Sequence, residues 1–308
     1  SYEVLSAINP GIIVIDSSAL GNSGPASHRM GYGPLIRSTV GLTGLWQDTT
    51  VADGFCDFLT MFPDHVAGRI GAIGIIASLI ARARTGRGRT VSVAQAEVIL
   101  TQLATEYLRE SLEPGVLVPL GNVGEFDAPQ GIYPCAGDDE WVAITVENTA
   151  QFEALARTIG HAEFADAADL QTSTGRIARR DEIVAVVAAW CATRTTREVT
   201  EALQAVGVPA GFMMRVTELL TDPHLQARGF LRQTQHHLLP APHWNENAPA
   251  VFRSIPDPKL EDAPLQGADT RRVIAEVLGK DAEEIQALLD AGVLEEHPNV
   301  TAALAVLV

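Results

Sequence analysis

The chain has 308 residues, 46% of them hydrophobic and 19% charged, a balance that suits a compactly folded protein and excludes a disordered one. Its formal net charge of -16 gives an overall field that repels nucleic acid and anionic membrane surfaces, so a phosphate-bearing ligand needs a local basic pocket. Single cores above about 250 to 300 residues are uncommon, so two lobes are expected.

In chain order, Ser1-Tyr2-Glu3 lacks the basic region of a secretory signal. Ile12-Ile13-Val14-Ile15 is a β-branched run that ends in Asp16-Ser17-Ser18 and then Gly21-Asn22-Ser23-Gly24-Pro25, which reads as a buried strand leading into a polar loop. Loops at the carboxyl ends of strands are where α/β proteins hold ligands. Gly31-Tyr32 follows, and Gly41-Leu42-Thr43-Gly44 precedes Trp46.

Residues 64 to 83 read as a helix rich in small side chains. Its apolar stretch, Ile70 to Ala81, lies between Arg69 and Arg82, is too short for a membrane span of about 20 residues, and reads as a buried core helix. Glycine inside a helix costs about 0.5 to 1 kcal/mol relative to alanine, so Gly68, Gly71 and Gly74 imply close approach of a neighbouring segment. The turn Arg84-Thr85-Gly86-Arg87-Gly88 then leads to the strand-like Thr90-Val91-Ser92-Val93, which enters a helix from Ala94 to Leu112.

From Glu113 to Gly131 no period is sustained, and Gly121-Asn122-Val123-Gly124 lies in this long loop. Trp141 to Val146 is strand-like. Thr195-x-x-Glu198 is a capping box for a helix that stops at Gly207, and Asp222-Pro223 starts a short helix ending near Gly229. A Pro- and His-rich return segment follows. Asp269 to Leu278 stops at Gly279, and Asp281 with Glu284 caps a helix that stops at Gly292 before an apolar tail, Ala302 to Val308, expected to be packed or frayed.

The expected partition is therefore α/β. Residues 1–120 form a large-domain portion, 121–129 a glycine-containing crossing, 130–235 a smaller α/β domain, and 236–308 a return segment with C-terminal helices. Cys56, Cys135 and Cys191 are spaced for neither zinc nor a disulfide framework, which points to a reducing cytoplasm. No Gly-x-Ser-x-Gly elbow or His-Glu-x-x-His motif occurs, and no metal is expected.

Chemistry centres on Asp64. A carboxylate in the first turn of a helix is favoured in its ionised form and is a candidate nucleophile. The competing reading is an N-cap, worth about 0.5 to 2 kcal/mol to the helix. His65 points about 100° away around the helix and reads as a surface residue. Glu147 and the run Arg82, Arg84, Arg87, Arg89 read as solvated.

These residues resemble the class III CoA-transferases, the family of formyl-CoA transferase, carnitine CoA-transferases and α-methylacyl-CoA racemases. The likeness runs through Tyr2 to Pro10, the strand to Asp16, Gly21 to Pro25 and Gly31-Tyr32. It continues through Asp64-x-x-x-Gly68 joined to Arg84-Thr85-Gly86-Arg87-Gly88, Pro129-x-Gly131-x-Tyr133 and the helix from Asp281 to Val293. It implies a Rossmann-like large domain, here incomplete at its N-terminus, a smaller α/β domain, and two chains interlocked as a homodimer or a heterodimer with a related chain. It also implies Asp64 as catalytic residue, coenzyme A and acyl-CoA as substrates with no tightly bound cofactor, and a carboxylic acid as the second substrate. Tyr32, Gly121, Asn122 and Gly124 fall where the family binds its CoA ester, the last three in a loop expected to close over the intermediate.

Racemases of the family place a histidine at the position of Tyr32, and tyrosine, with an ordinary pKa near 10, is a poor base at neutral pH, so racemisation is the lesser reading. Members normally carry a further N-terminal section with much of the CoA-binding surface. Its absence from this sequence sustains a second reading, a non-catalytic or partner-dependent subunit.

Overall fold

In the computed structural model, which describes residues 1–55, 61–236, 239–257, 259 and 263–296, the first β-branched run becomes strand β1 (Ile13–Ser18). Strand β2 (Arg89–Ala94) lies parallel to it, Ile13 opposite Arg89 and Ser18 opposite Ala94. Cys56 and the tail from Ala302 lie outside the described residues. Parallel neighbours require a long crossover. Here it carries the helices Gly33–Thr39, Leu42–Leu45 and Phe62–Thr85. The expected burial of β1 is incomplete: Ile15 is exposed.

The long helix begins two residues earlier than expected, with Met61 as N-cap and Pro63 in its first turn, where the missing N–H costs nothing. It ends at Gly86, whose φ of 69° only glycine adopts without strain. Its glycines act as the sequence implied. A β carbon at Gly71 would lie 2.7 Å from Ile15 Cδ1, and one at Gly74 would lie 2.7 Å from Val91 Cγ1. The helix therefore rests its glycine backbone directly on the side chains of Ile15 in β1 and Val91 in β2.

Two expectations for this helix fail. It is not a buried core helix: Pro63, Ala67, Gly71 and Ser78 are buried, while Ile70, Ile73, Ile76, Leu79 and Ile80 are exposed. A two-stranded sheet covers one face and leaves the aliphatic face open. Nor does the shortness of the apolar stretch from Ile70 to Ala81 carry over to the helix: at 24 residues the whole element is long enough to cross a membrane by length and composition alone.

The helix expected from Ala94 to Leu112 is also broken, into Gln95–Gln102 and Ala104–Leu112. Just before the break Thr101 Oγ1 donates to the Val98 carbonyl at 2.6 Å, a side-chain bond that competes with the helical ladder.

Strands β3 (Gln130–Pro134), β4 (Trp141–Thr145) and β5 (Ala210–Phe212) form an antiparallel sheet in that order. Tyr133, Val142 and Ile144 point from it into a core with Phe152, Leu155, Ile183, Val187, Val199 and Leu203. The helices behind this core are Thr149–Thr158, Arg180–Cys191 and Thr196–Gln204, the last started by the expected Thr195–Glu198 capping box. Buried Arg176 clasps Asp127 with two bonds of 2.6 and 2.7 Å, which fastens the end of the crossing loop to the helical layer.

By contacts the chain divides at Met213–Met214, so the three-stranded layer belongs to the same compact unit as β1 and β2. The second unit contains the antiparallel pair β6 (Leu231–Thr234) and β7 (His243–Glu246). Its helices Thr270–Leu278 and Ala282–Asp290 end and begin where the sequence placed them, at Gly279 and at the Asp281–Glu284 capping box.

The seam makes a paired prediction. Gly74→Leu drives a side chain into stiff, β-branched Val91 and lowers unfolding free energy by about 1 to 3 kcal/mol. Gly68→Ala, where a β carbon meets nothing within 4 Å, raises it by about 0.5 to 1 kcal/mol. Urea denaturation of both variants checks the contrast.

Candidate active site

Asp64 is the third residue of the long helix and does not cap it: the cap is Met61, whose carbonyl accepts the Asp64 N–H at 3.1 Å. The carboxylate instead turns toward two donors from other elements. Oδ2 accepts the backbone N–H of Gly33 at 2.8 Å, and Oδ1 accepts Gln95 Nε2 at 3.2 Å. The N-cap reading of Asp64 is thereby replaced by one in which both oxygens are held from outside the helix.

Local folding explains each contact. Gly33 opens the helix Gly33–Thr39, where backbone N–H groups have no helical partner. Having no side chain, it lets its backbone reach the carboxylate: a β carbon there would lie 2.5 Å from Asp64 Oδ2 and 3.0 Å from Met61 Cα. Gln95 is the first residue after β2 and opens the helix Gln95–Gln102. That switch from strand to helix is tied to the end of β1 by the Ala96 N–H, which donates to Ala19 O at 3.0 Å. Three helix starts thus meet at one half-buried carboxylate beyond the carboxyl ends of two parallel strands.

An ionised carboxylate only accepts hydrogen bonds, so the amide of Gln95 must present nitrogen, not oxygen, to Oδ1. Its Oε1 is buried and has no hydrogen-bond partner. None of the described ion pairs includes Asp64.

Tyr32 precedes Gly33, caps its helix and carries an exposed ring, so it stands at the rim of this site. Gly121, Asn122 and Gly124 are placed elsewhere. Asn122 pairs with the backbone of Ile132 as a neighbouring strand would, its Nδ2 donating to the carbonyl at 2.6 Å and its Oδ1 accepting the N–H at 2.7 Å. The Gly124 N–H donates to Gln130 O at 3.2 Å, and its carbonyl accepts Arg180 Nη2 at 2.7 Å. Gly121 and Asn122 line a cavity of about 870 Å³ with Leu45, Trp46 and the outer face of the three-stranded sheet, including Ile132, Ala143 and Gly211. The Trp46 ring also lies 6.0 Å from that of Phe62, two residues before Asp64. His65, Glu147, Arg84, Arg87 and Arg89 are exposed, and Arg82 spends a guanidinium N–H on Gly11 O at 3.1 Å.

Gln95 and Gly33 are the residues that sequence reasoning missed. Gly33-Pro34 directly after Tyr32 marks a helix start, and Gln95 stands at a strand-to-helix switch, so both positions carried a local signal. Cys135 and Cys191, far apart in sequence, are buried free thiols that contact each other. Burial pushes Cys191 up to about 12 and raises Cys135 as well, so neither supplies a thiolate nucleophile. Among the described residues no cluster of three or more His, Cys, Asp or Glu could hold a metal ion.

The model of CoA-transferase family III matches residues 1–270, and the chain belongs to that family. It is 41% identical over 307 residues, 98% of its length, to the Mycobacterium tuberculosis protein named "Probable CoA-transferase Rv1866", and spans 38% of that protein. It is 27% identical to the beta subunit of succinyl-CoA–L-malate CoA-transferase of Chloroflexus aurantiacus, over 93% of this chain and 71% of that one. A crystal structure of a CAIB/BAIF family protein from Brucella suis is similar, with a TM-score of 0.78 and 25% identity, over 90% of this chain and 70% of that one.

Because burial shields both thiols and lowers their thiolate fraction below that of a free cysteine, Cys135 and Cys191 stay silent at pH 8 in the folded protein toward a disulfide reagent such as dithionitrobenzoate. Both become reactive in denaturant, where the thiol returns to about 8.5. Peptide mapping of the labelled sites checks this.

Proposed function

We propose that this chain moves coenzyme A between an acyl-CoA and a carboxylic acid, through a thioester formed on Asp64. The observation that carries the reading is the placement of Asp64, a carboxylate that spends neither oxygen on capping its own helix and is aimed at a junction of helix starts. In the first step an Asp64 oxygen attacks the thioester carbonyl carbon, the C–S bond breaks, and CoA leaves as thiolate, giving a mixed anhydride. The thiolate then attacks Asp64 Cγ, the Cγ–O bond breaks, and the donor acid leaves as carboxylate. An incoming acid retraces both steps and departs as its CoA ester. Each step exchanges one activated acyl group for another, so no ATP is required.

Tyr32 at the rim lines the entry to Asp64. The cavity between Trp46 and the three-stranded sheet, with Gly121 and Asn122 on its wall and Gly124 anchoring the same loop, suits part of the CoA ester. Its apolar sheet face excludes water from an intermediate that water would hydrolyse. With Asn122 paired to β3, the loop serves as a wall more than as a closing lid.

The parallel pair with its crossover belongs, in this reading, to a Rossmann-like large domain. We place the protein in the cytoplasm as an interlocked dimer, whose second chain covers the aliphatic face of the long helix. Monomeric proteins rarely leave so many neighbouring aliphatics open.

A partner-dependent subunit is the second reading, favoured by the likeness to a named beta subunit. Racemisation is the weaker alternative, since Tyr32 stands where a proton-transferring histidine would be needed.

Incubating the full-length protein with acyl-CoA and then hydroxylamine is expected to leave a hydroxamate on Asp64, located by mass spectrometry. Asp64→Ala should remove the label and lower exchange on the order of 10⁴-fold or more; label on a different carboxylate, or undiminished exchange, defeats the reading. For the dimer, Ile73→Glu combined with Ile76→Glu places charge on the open helix face and shifts the protein to monomer in light scattering. A dimer unaffected by both changes would mean that this face is not the interface.

A further inference from the structure

The two oxygens of Asp64 have different keepers. Oδ2 is held at 2.8 Å by the Gly33 N–H, a backbone donor that cannot retreat. Oδ1 is held at 3.2 Å by Gln95 Nε2, the tip of a side chain with rotatable bonds. The other polar atom of that tip, Oε1, is buried without a partner, so no second hydrogen bond tethers the amide.

Resting on the aspartyl-CoA reading above, we propose that Gln95 Nε2 is the docking donor for the carboxylate of the acceptor acid. Oδ1 is the oxygen with a yielding partner, so it is the nucleophile and becomes the bridging atom of the anhydride. Thiolate attack on Cγ pushes the carbonyl electron pair onto Oδ2, where the Gly33 N–H faces the new charge. The Cγ–Oδ1 bond then breaks, and Oδ1 leaves with the donor acid. The aspartyl-CoA thioester keeps one oxygen only.

At that stage Gln95 has lost its acceptor. Its Nε2 is a half-buried N–H donor facing the place a carboxylate oxygen has just left, beside the electrophilic Cγ. An incoming carboxylate restores the bond by placing one oxygen on Nε2, within reach of Cγ. That oxygen attacks Cγ, CoA thiolate is expelled and then attacks the new acyl carbon, and the incoming oxygen remains on Asp64 as the new Oδ1. Every turnover thus returns Gln95 to its starting partner. The donor recognises the carboxylate common to all acids, and leaves choice among them to other side chains.

The test uses aspartyl-CoA enzyme prepared from the full-length protein and acyl-CoA, discharged either by the carboxylic acid or by hydroxylamine. Hydroxylamine attacks the same carbon but brings no carboxylate to dock. In Gln95→Met, which keeps the length and removes the donor, discharge by acid is expected to slow about ten- to a hundredfold, the worth of one hydrogen bond to a charged group. Discharge by hydroxylamine should change less than twofold. Gln95→Ala, tested in parallel, guards against a local packing effect of methionine and should show the same split. Equal slowing with both nucleophiles would make Gln95 a general support of the site and overturn the proposal, as would no slowing with either. If the wild-type protein forms no thioester on Asp64, the functional reading fails first and takes this inference with it. A thioester that forms while the split is absent defeats only the role of Gln95.

Discussion

Everything around the site depends on how closely the long helix lies on the parallel strands. With a β carbon at Gly71 or Gly74 there would be 2.7 Å contacts with Ile15 and Val91, so the separation is set by glycine and cannot widen without losing that contact. Helix and strands are then one rigid block, and the block fixes where the helix begins. Its first turn meets Gly33 on one side and Gln95 on the other. The second contact repeats the device of the first, since Gly33 also reaches Asp64 only because it lacks a side chain. Backbone proximity, more than any charge, positions the carboxylate.

The absence of a charged partner among the described residues matters chemically. Asp64 is held by one peptide N–H and one side-chain amide, both neutral, and has no described ion pair. A guanidinium in the same place would draw the carboxylate into a bidentate clasp like that of Arg176 with Asp127, which occupies both oxygens in short bonds. Such a carboxylate is a structural tie. Neutral donors of 2.8 and 3.2 Å orient Asp64 and still leave lone pairs for bond formation. The same chain thus uses aspartate in both ways, and the partner decides which.

Much of this was legible in the sequence where local physics decides. Capping boxes at Thr195 and Asp281 and the glycine stops at Gly86 and Gly279 depend on a few adjacent residues, and they fell into place. The small-residue pattern announced the close helix contact. What the sequence could not convey was which face of that helix would be covered, because an aliphatic stripe reads the same whether it meets a core or lies open. The break at Leu103 was hidden for a related reason: periodicity runs through it, and the competing Thr101 bond leaves no mark on the pattern. Asp64 was ambiguous because a cap and a nucleophile ask for the same residue at the same place. Met61 as the cap and two contacts across 31 residues remove the first of these readings.

The crossing loop shows that glycine can serve contact as well as motion. Two glycines within four residues suggest a segment free to move, yet Asn122 spends both polar atoms on one peptide of β3, and Gly124 is bonded through both its N–H and its carbonyl. At Gly124 a β carbon would lie 2.6 Å from that of Gln130, and at Gly131 one would lie 2.8 Å from Asn122 O. Here glycine lets the loop lie flat against the strand, as it lets the helix lie on β1 and β2. The residue that most often permits movement is used at each of these places to allow contact. A large side chain at Gly124 would therefore loosen the loop from β3 instead of stiffening it. The cavity wall formed by Gly121 and Asn122 would shift with it, although neither of those residues had been changed.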